Sequence, residues 1–287
     1  MYQLKNSVME VEINPHGAEL VRVVKDGHDY LWDADPAFWG RTSPVLFPIV
    51  GSLANGKYFV DGKEFTLGQH GFARDMELEL LSQSDDELWF ELKSSSETRL
   101  KYPFDFTLKI GYCMVENALE VKWEVVNDSQ ATMPFSIGAH PAFLAGPDLS
   151  DYTLYFNNQK PLETLIFDNE HGLIKIDDPK KAIDSPLKLT KALFEEFPVL
   201  IFEDVSEIKL GSATHARNVV VSFDHFPYVG IWSPINKSGE VAPFVCIEPW
   251  YGLADTKMES GELADKFAIQ KLAPKQGFTA SYVMKFN

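Results

Sequence analysis

The sequence predicts an all-β protein, a large antiparallel β-sandwich with few short helices, built as one domain over residues 1–287. Three observations carry this expectation. Short runs rich in Val, Ile, Phe and Tyr alternate with polar residues along most of the chain, the pattern of half-buried strands. Asp-Gly and Asn-Gly pairs separate several of them and supply the positive φ that hairpin turns require. Helical periodicity is nearly absent.

Taken in order, Asp26-Gly27, Asn55-Gly56 and Asp61-Gly62 each read as a hairpin turn, which makes the first third a meander. Alternation continues over 77–82, 88–92, 106–112 and 119–125, the last two joined around Glu116-Asn117-Ala118. Further strands are expected at 200–202, 219–223, 229–232, 244–247 and 278–286. The stretch 189–197 sets Leu193, Phe194 and Phe197 on one side and is the one segment that reads as a helix. The polar region 157–185, with Asp177-Asp178-Pro179-Lys180-Lys181, reads as a long surface excursion. No Gly/Ser-rich linker or fixed repeat divides the chain, so its strands are expected to form two large packed sheets in a single domain.

With 45% hydrophobic residues the chain can bury a large core without disulfides. Cys113 and Cys246 both lie in apolar strand-like runs and read as buried, reduced thiols. No basic segment followed by an apolar run opens the chain, and no stretch approaches 18 apolar residues. The expectation is a cytoplasmic protein without a membrane span. The 42 acidic and 26 basic residues give a net charge of −16, which repels nucleic acid and anionic membranes. A small anionic ligand stays compatible, because nearby arginines set the potential within a screening length of about 8 Å.

Three segments place proton-transfer side chains beside Gly, Pro or aromatic residues: Gln69-His70-Gly71-Phe72-Ala73-Arg74, Gly138-Ala139-His140-Pro141-Ala142-Phe143 and Cys246-Ile247-Glu248-Pro249-Trp250-Tyr251-Gly252. Such neighbours suit strand ends that turn tightly against a pocket. His70 and His140 each fit either a structural histidine bonded to a carbonyl or a proton-transfer group. Glu248 follows an apolar run, where an unpaired carboxylate is costly. It therefore reads as a general base with a raised pKa, or as half of an ion pair with Arg41 or Arg74. Those arginines could orient hydroxyls or a phosphate. Trp232, Trp250 and Tyr251 are candidates to stack on a sugar ring or to fill the core. No His-Glu-x-x-His, Cys-x-x-Cys, P-loop, Gly-x-Gly-x-x-Gly or Gly-x-Ser-x-Gly motif occurs. A reaction on a polar substrate without metal or cofactor is the expectation.

Taken together, these segments resemble the aldose 1-epimerase (mutarotase) superfamily, and within it the LacX-like branch. The resemblance runs nearly end to end through 38–48 (Phe38-Trp39-Gly40-Arg41-Thr42-Ser43-Pro44-Val45-Leu46-Phe47-Pro48), the His70 and His140 segments, 226–232 (Phe226-Pro227-Tyr228-Val229-Gly230-Ile231-Trp232) and 244–250. It implies a galactose mutarotase-like supersandwich that interconverts the anomers of a hexose without a cofactor. By resemblance, Glu248 is the general base, His140 the general acid, and His70 a hydrogen-bond partner of the sugar. Arg41, Arg74, Trp232 and Trp250 would line the substrate pocket. Relatives acting on hexose 6-phosphates, and a carbohydrate-binding protein without catalysis, are the alternatives the resemblance leaves open. A monomer or homodimer is expected. Two departures from the family pattern, Ser52 and Phe197-Pro198, fall where hydroxyl recognition is expected to be shaped.

Overall fold

The computed structural model describes residues 1–146, 148–158, 160–256 and 261–287. Among them, two antiparallel sheets enclose one core. The larger has nine strands in the order Leu187–Lys188, Tyr152–Phe156, Glu207–Ser212, Val219–Ser222, Gly277–Phe286, Ala118–Asn127, Phe106–Val115, Glu87–Lys93 and Glu79–Gln83. The second runs Leu200–Phe202, Tyr228–Trp232, Phe244–Tyr251, Ile137–Ala139 and Val45–Leu46, and Ala142–Leu144 also pairs with the Phe244–Tyr251 strand. A four-stranded meander, Tyr2–Lys5 to His28–Asp29, is a third sheet.

Strand alternation explains why these layers stick. Leu108, Ile110, Val121, Trp123 and Met284 of the nine-stranded sheet share one apolar cluster with Val45, Phe47, Ile137, Val229, Ile231, Val245 and Ile247. All are essentially buried, and full burial of such a side chain is worth about 1.5–3 kcal/mol. The opposite face of the six-stranded sheet carries two smaller apolar clusters. Leu46, Ile201 and Trp250 belong to one; Ala142, Phe244 and Cys246 belong to the other. This outer face is the floor of the site.

Most sequence expectations hold, with corrections; Cys246 is buried, but Cys113, expected to be buried as well, is only partly so. Asp26-Gly27 and Asp61-Gly62 are two-residue hairpin turns with positive φ at both positions, but Asn55-Gly56 ends a 3₁₀ turn, Ala54–Gly56, that enters the Lys57–Val60 strand from a loop. The expected helix at 189–197 is Lys191–Glu196, capped by the Thr190 hydroxyl on the Leu193 N–H. A second helix, Ser96–Lys101, went unread in the sequence: Ser95 and Thr98 close a capping box around one polar turn that lacks an apolar stripe. The region 157–185 is a surface excursion only in part: 177–182 is exposed, but 162–174 is partly buried. Its Phe167–Asp168 and Leu173–Ile174 strands fold back over the outer face of the six-stranded sheet, and the Ile174 N–H bonds the Asp255 carbonyl at 2.8 Å. Among the described residues, no helix is long and apolar enough to cross a membrane.

Candidate active site

A period of two sets the site. On the Phe244–Tyr251 strand, Val245 and Ile247 enter the core, so Cys246, Glu248 and Trp250 project from the other face. Glu248 lies opposite Gly230 on the adjacent strand, and Trp250 lies opposite Gly138. Both glycines make room for the indole of Trp250. A Cβ at Gly230 would come within 2.3 Å of its Cη2, and one at Gly138 within 2.6 Å of its Cδ1. Tyr251, the other stacking candidate, faces inward against Phe226 and Phe278 and is not a site residue.

His140 follows the Ile137–Ala139 strand and brings its Nε2 to 3.2 Å from Glu248 Oε2. The two groups meet directly and are 7% and 1% exposed. Their contact lacks the alignment of a hydrogen bond, so Oε2 keeps acceptor capacity. Trp39 stacks on the His140 imidazole, with centroids 4.7 Å apart and planes 28° apart. His70 and Trp232 meet the same ring edge-on at 5.6 and 5.5 Å.

Burial tunes both members of the pair in the same sense, toward the uncharged form. It pushes the Glu248 carboxyl well above its ordinary value, with the nearby Trp250 indole N–H working against it. Burial also lowers His140 to about 3; its own main-chain carbonyl opposes this, and the Arg74 and Arg41 charges add to it. With Glu248 protonated and His140 neutral the pair carries one proton, and moving that proton to His140 gives the ion pair.

His70 sits in a turn rather than at a strand end, with φ +66°. Such a conformation in a residue other than glycine costs on the order of 1 kcal/mol or more and is held by the contacts around it. The turn fits because Gly71 follows, where a Cβ would strike the Phe47 carbonyl oxygen at 2.3 Å. The Gly51 N–H donates to His70 Nδ1 at 3.1 Å. The ring proton therefore belongs on Nε2, making the free nitrogen a donor. Burial, followed by His140, Arg74 and Arg41, holds His70 well below its ordinary pKa and keeps it neutral.

These groups open onto a cleft of about 450 Å³ whose lining includes Trp39, Gln69, Arg41, Arg74, Trp232 and Trp250. The arginines do not pair with Glu248. Arg41 Nη2 donates to Asp75 Oδ1 at 2.6 Å, and Arg74 Nη2 donates to the Gln69 carbonyl at 2.8 Å. Arg74 Nε is buried without a hydrogen-bond partner. Glu19 fixes the segment after Arg41 by accepting from the Thr42 and Ser43 N–H groups, each at 2.8 Å. The far wall is apolar, formed by Phe167, Ile174, Val199 and Ile201. Ser52 and Pro198 line the cleft, whereas Phe197 caps the Lys191–Glu196 helix outside it.

The structure thus brings Glu248, His140, His70, Arg41, Arg74, Trp232 and Trp250 to one cleft. Sequence reasoning did not single out Trp39 or Asn169. Trp39 lies within the 38–48 segment, where Phe38-Trp39 beside Gly40-Arg41 was a usable signal. Asn169 carried none, because its place depends on how the 167–174 hairpin folds back. His140, Cys246 and Glu248 offer donor atoms within 4.8 Å of one another, as do Asp168, Glu170 and His171.

The profile of the aldose 1-epimerase family matches residues 1–266. The plasmid and chromosomal LacX proteins of Lactococcus lactis subsp. lactis are each 32% identical over 294 residues, spanning 98% of this chain and 97% of theirs. A galactose mutarotase related enzyme from Lactobacillus acidophilus superposes with a TM-score of 0.93 at 34% identity, over 100% of this chain and 97% of that one. A galactose mutarotase-like protein from Lactobacillus casei also reaches 0.93, at 29% identity and with 100% of both chains covered. With a family profile matched along nearly its whole length and LacX proteins 32% identical over 98% of it, this chain belongs to the aldose 1-epimerase family, in its LacX-like branch.

Proposed function

We propose that the protein is a cofactor-independent mutarotase that interconverts the α and β anomers of a hexose. The observation that carries this reading is the buried contact of Glu248 and His140, 3.2 Å apart on the cleft floor, beside a neutral His70 that offers an Nε2–H. Once the pair's proton has passed from the Glu248 carboxyl to His140, the Glu248 carboxylate removes the proton of the anomeric hydroxyl while the His140 imidazolium delivers its own to the ring oxygen. The bond from C1 to the ring oxygen breaks as the C1 carbonyl forms. After rotation about the bond between C1 and C2, the two transfers reverse and the ring closes on the other face of the carbonyl.

The proton count supports this assignment. The pair holds one proton before ring opening and one after it, so no proton need be exchanged with water during the reaction. Concerted assistance avoids a full charge on either sugar oxygen, and each transfer contributes about 10²-fold to 10⁴-fold in rate. His70 donates to the ring oxygen, Arg41 and Arg74 bind hydroxyls at one end, and Trp232 and Trp250 supply apolar faces for the ring.

The test follows freshly dissolved α-glucose, α-galactose and α-glucose 6-phosphate by proton NMR. Acceleration by the wild type, lost in a folded Glu248→Gln variant, is expected for at least one free hexose. Acceleration of the phosphate alone would assign the arginine end of the cleft to a phosphoryl group. Sugar binding with no acceleration of any of the three would make this a carbohydrate-binding protein and overturn the proposed reaction.

A further inference from the structure

One buried ion pair takes no part in these proton transfers. Lys266 and Asp255 are 4% and 5% exposed, and Lys266 Nζ stands 2.9 Å from Asp255 Oδ1. Apolar replacement of such pairs is often neutral or stabilising, so stability alone gives little reason for it. What the aspartate holds is more informative. Its Oδ2 accepts from the Ala54 N–H at 2.8 Å, and its own N–H donates to the Ser52 carbonyl at 2.9 Å. One residue therefore grips both ends of the 52–54 turn.

The turn leads directly to His70. The Gly51 carbonyl accepts from the His70 main-chain N–H at 2.9 Å, and the Gly51 N–H is the donor to His70 Nδ1. Gly51 packs so closely on Ala254, the neighbour of Asp255, that a Cβ on it would come within 2.5 Å of the alanine Cβ. His70 itself has the unfavourable positive φ noted above, which persists only when surrounding contacts impose it.

We propose that Asp255, clamped by Lys266, is a positioning residue that fixes the 51–54 turn and, through Gly51, holds His70 with its Nε2–H directed at the sugar. The inference rests on the reading of His70 as a donor to the ring oxygen. If the Gly51 N–H moves away, the ring proton is free to occupy Nδ1. Nε2 would then present a lone pair to the ring oxygen, which has no proton to share. Lys266 orients the carboxylate by charge: its ammonium stands beside Oδ1 without the alignment of a hydrogen bond, and Oδ2 faces Ala54.

The experiment uses the full chain and two double variants that leave no orphaned charge. Asp255→Val with Lys266→Met removes the grip on Ala54; Asp255→Asn with Lys266→Met keeps an acceptor there. The first is expected to lower kcat by about 10-fold to 100-fold, the scale of a displaced catalytic group, with a smaller change in KM. Its ¹⁵N NMR signals for the His70 ring should move toward mixed tautomers. The second should restore both. A folded Val/Met protein with wild-type kcat and wild-type His70 ring shifts overturns the proposal. Should that protein not fold, Lys266→Met alone decides, because it keeps the Asp255 carboxyl beside the Ala54 N–H and removes only its clamp. It should shift the His70 ring signals part of the way, and wild-type signals would overturn the proposal. The ring spectrum is read without sugar. A wild-type protein that leaves anomers untouched would therefore overturn the proposed reaction, while the spectrum still reports on Asp255.

Discussion

The two faces of the Phe244–Tyr251 strand are buried to the same degree and do opposite things with that burial. Val245 and Ile247 on the inner face and Cys246 and Glu248 on the outer face are all within 1% of complete burial. On the inner face, burial removes apolar surface from water and stabilises the fold. On the outer face it removes water from a carboxyl and an imidazole, which costs stability and tunes their protonation. Burial alone therefore does not mark a core; the chemistry of the buried atoms separates scaffold from site.

The largest expected effect breaks this comparison from the outer side. Glu248→Gln should reduce mutarotation by about 10²-fold to 10⁴-fold without lowering the melting temperature. The folded carboxyl has a raised pKa, so above its ordinary value the unfolded chain releases a proton that the folded chain must keep. Stability thus falls as pH rises through that window, and a neutral amide escapes the penalty. A loss of melting temperature at pH 8 would contradict this sign. From the inner side, Ile247→Ala should cost about 2–5 kcal/mol in urea unfolding and leave kcat per folded molecule unchanged. A comparable fall in kcat would show that the two faces are not separable.

Gly230→Ala sharpens the boundary between the faces. Its methyl group would collide with the Trp250 ring, an overpacking worth about 1–3 kcal/mol. Because Trp250 floors the cleft, KM should rise as well. Unchanged KM would remove Trp250 from the substrate contacts. The smallest effect is acid sensitivity. With His140 held at about 3, below its ordinary 6.5, the unfolded chain binds a proton between these values that the folded chain refuses. That stability is whole above pH 6.5 and is lost as pH falls toward 3. Between pH 7 and pH 5 the loss from His140 is about 2 kcal/mol, and His140→Phe should flatten that part of the urea-unfolding profile.

The strands were legible in the sequence because their cause is local. Alternation over 106–112 and 119–125 and the turn dipeptides Asp26-Gly27 and Asp61-Gly62 act through neighbours in the chain. The unread helix Ser96–Lys101 has no apolar stripe, and its capping box occupies only four residues. The three acid/base residues were also legible, since each stands in an apolar or Gly/Pro setting that a solvated residue does not need. Their roles came from the resemblance to a family rather than from the residue pattern itself.

The sequence by itself determined the all-β class, many of the strands, and the presence of two histidines and one glutamate in unusual settings. Those follow from backbone periodicity and side-chain polarity, which are properties of short segments. Only the tertiary structure decided that His140 touches Glu248, that Arg41 pairs with Asp75 rather than with Glu248, and that the 167–174 hairpin closes one wall of the cleft. It also joined Asp255 to His70 through the 51–54 turn. Each of these depends on residues tens to hundreds of positions apart, and their contact energies exist only once the two sheets have packed.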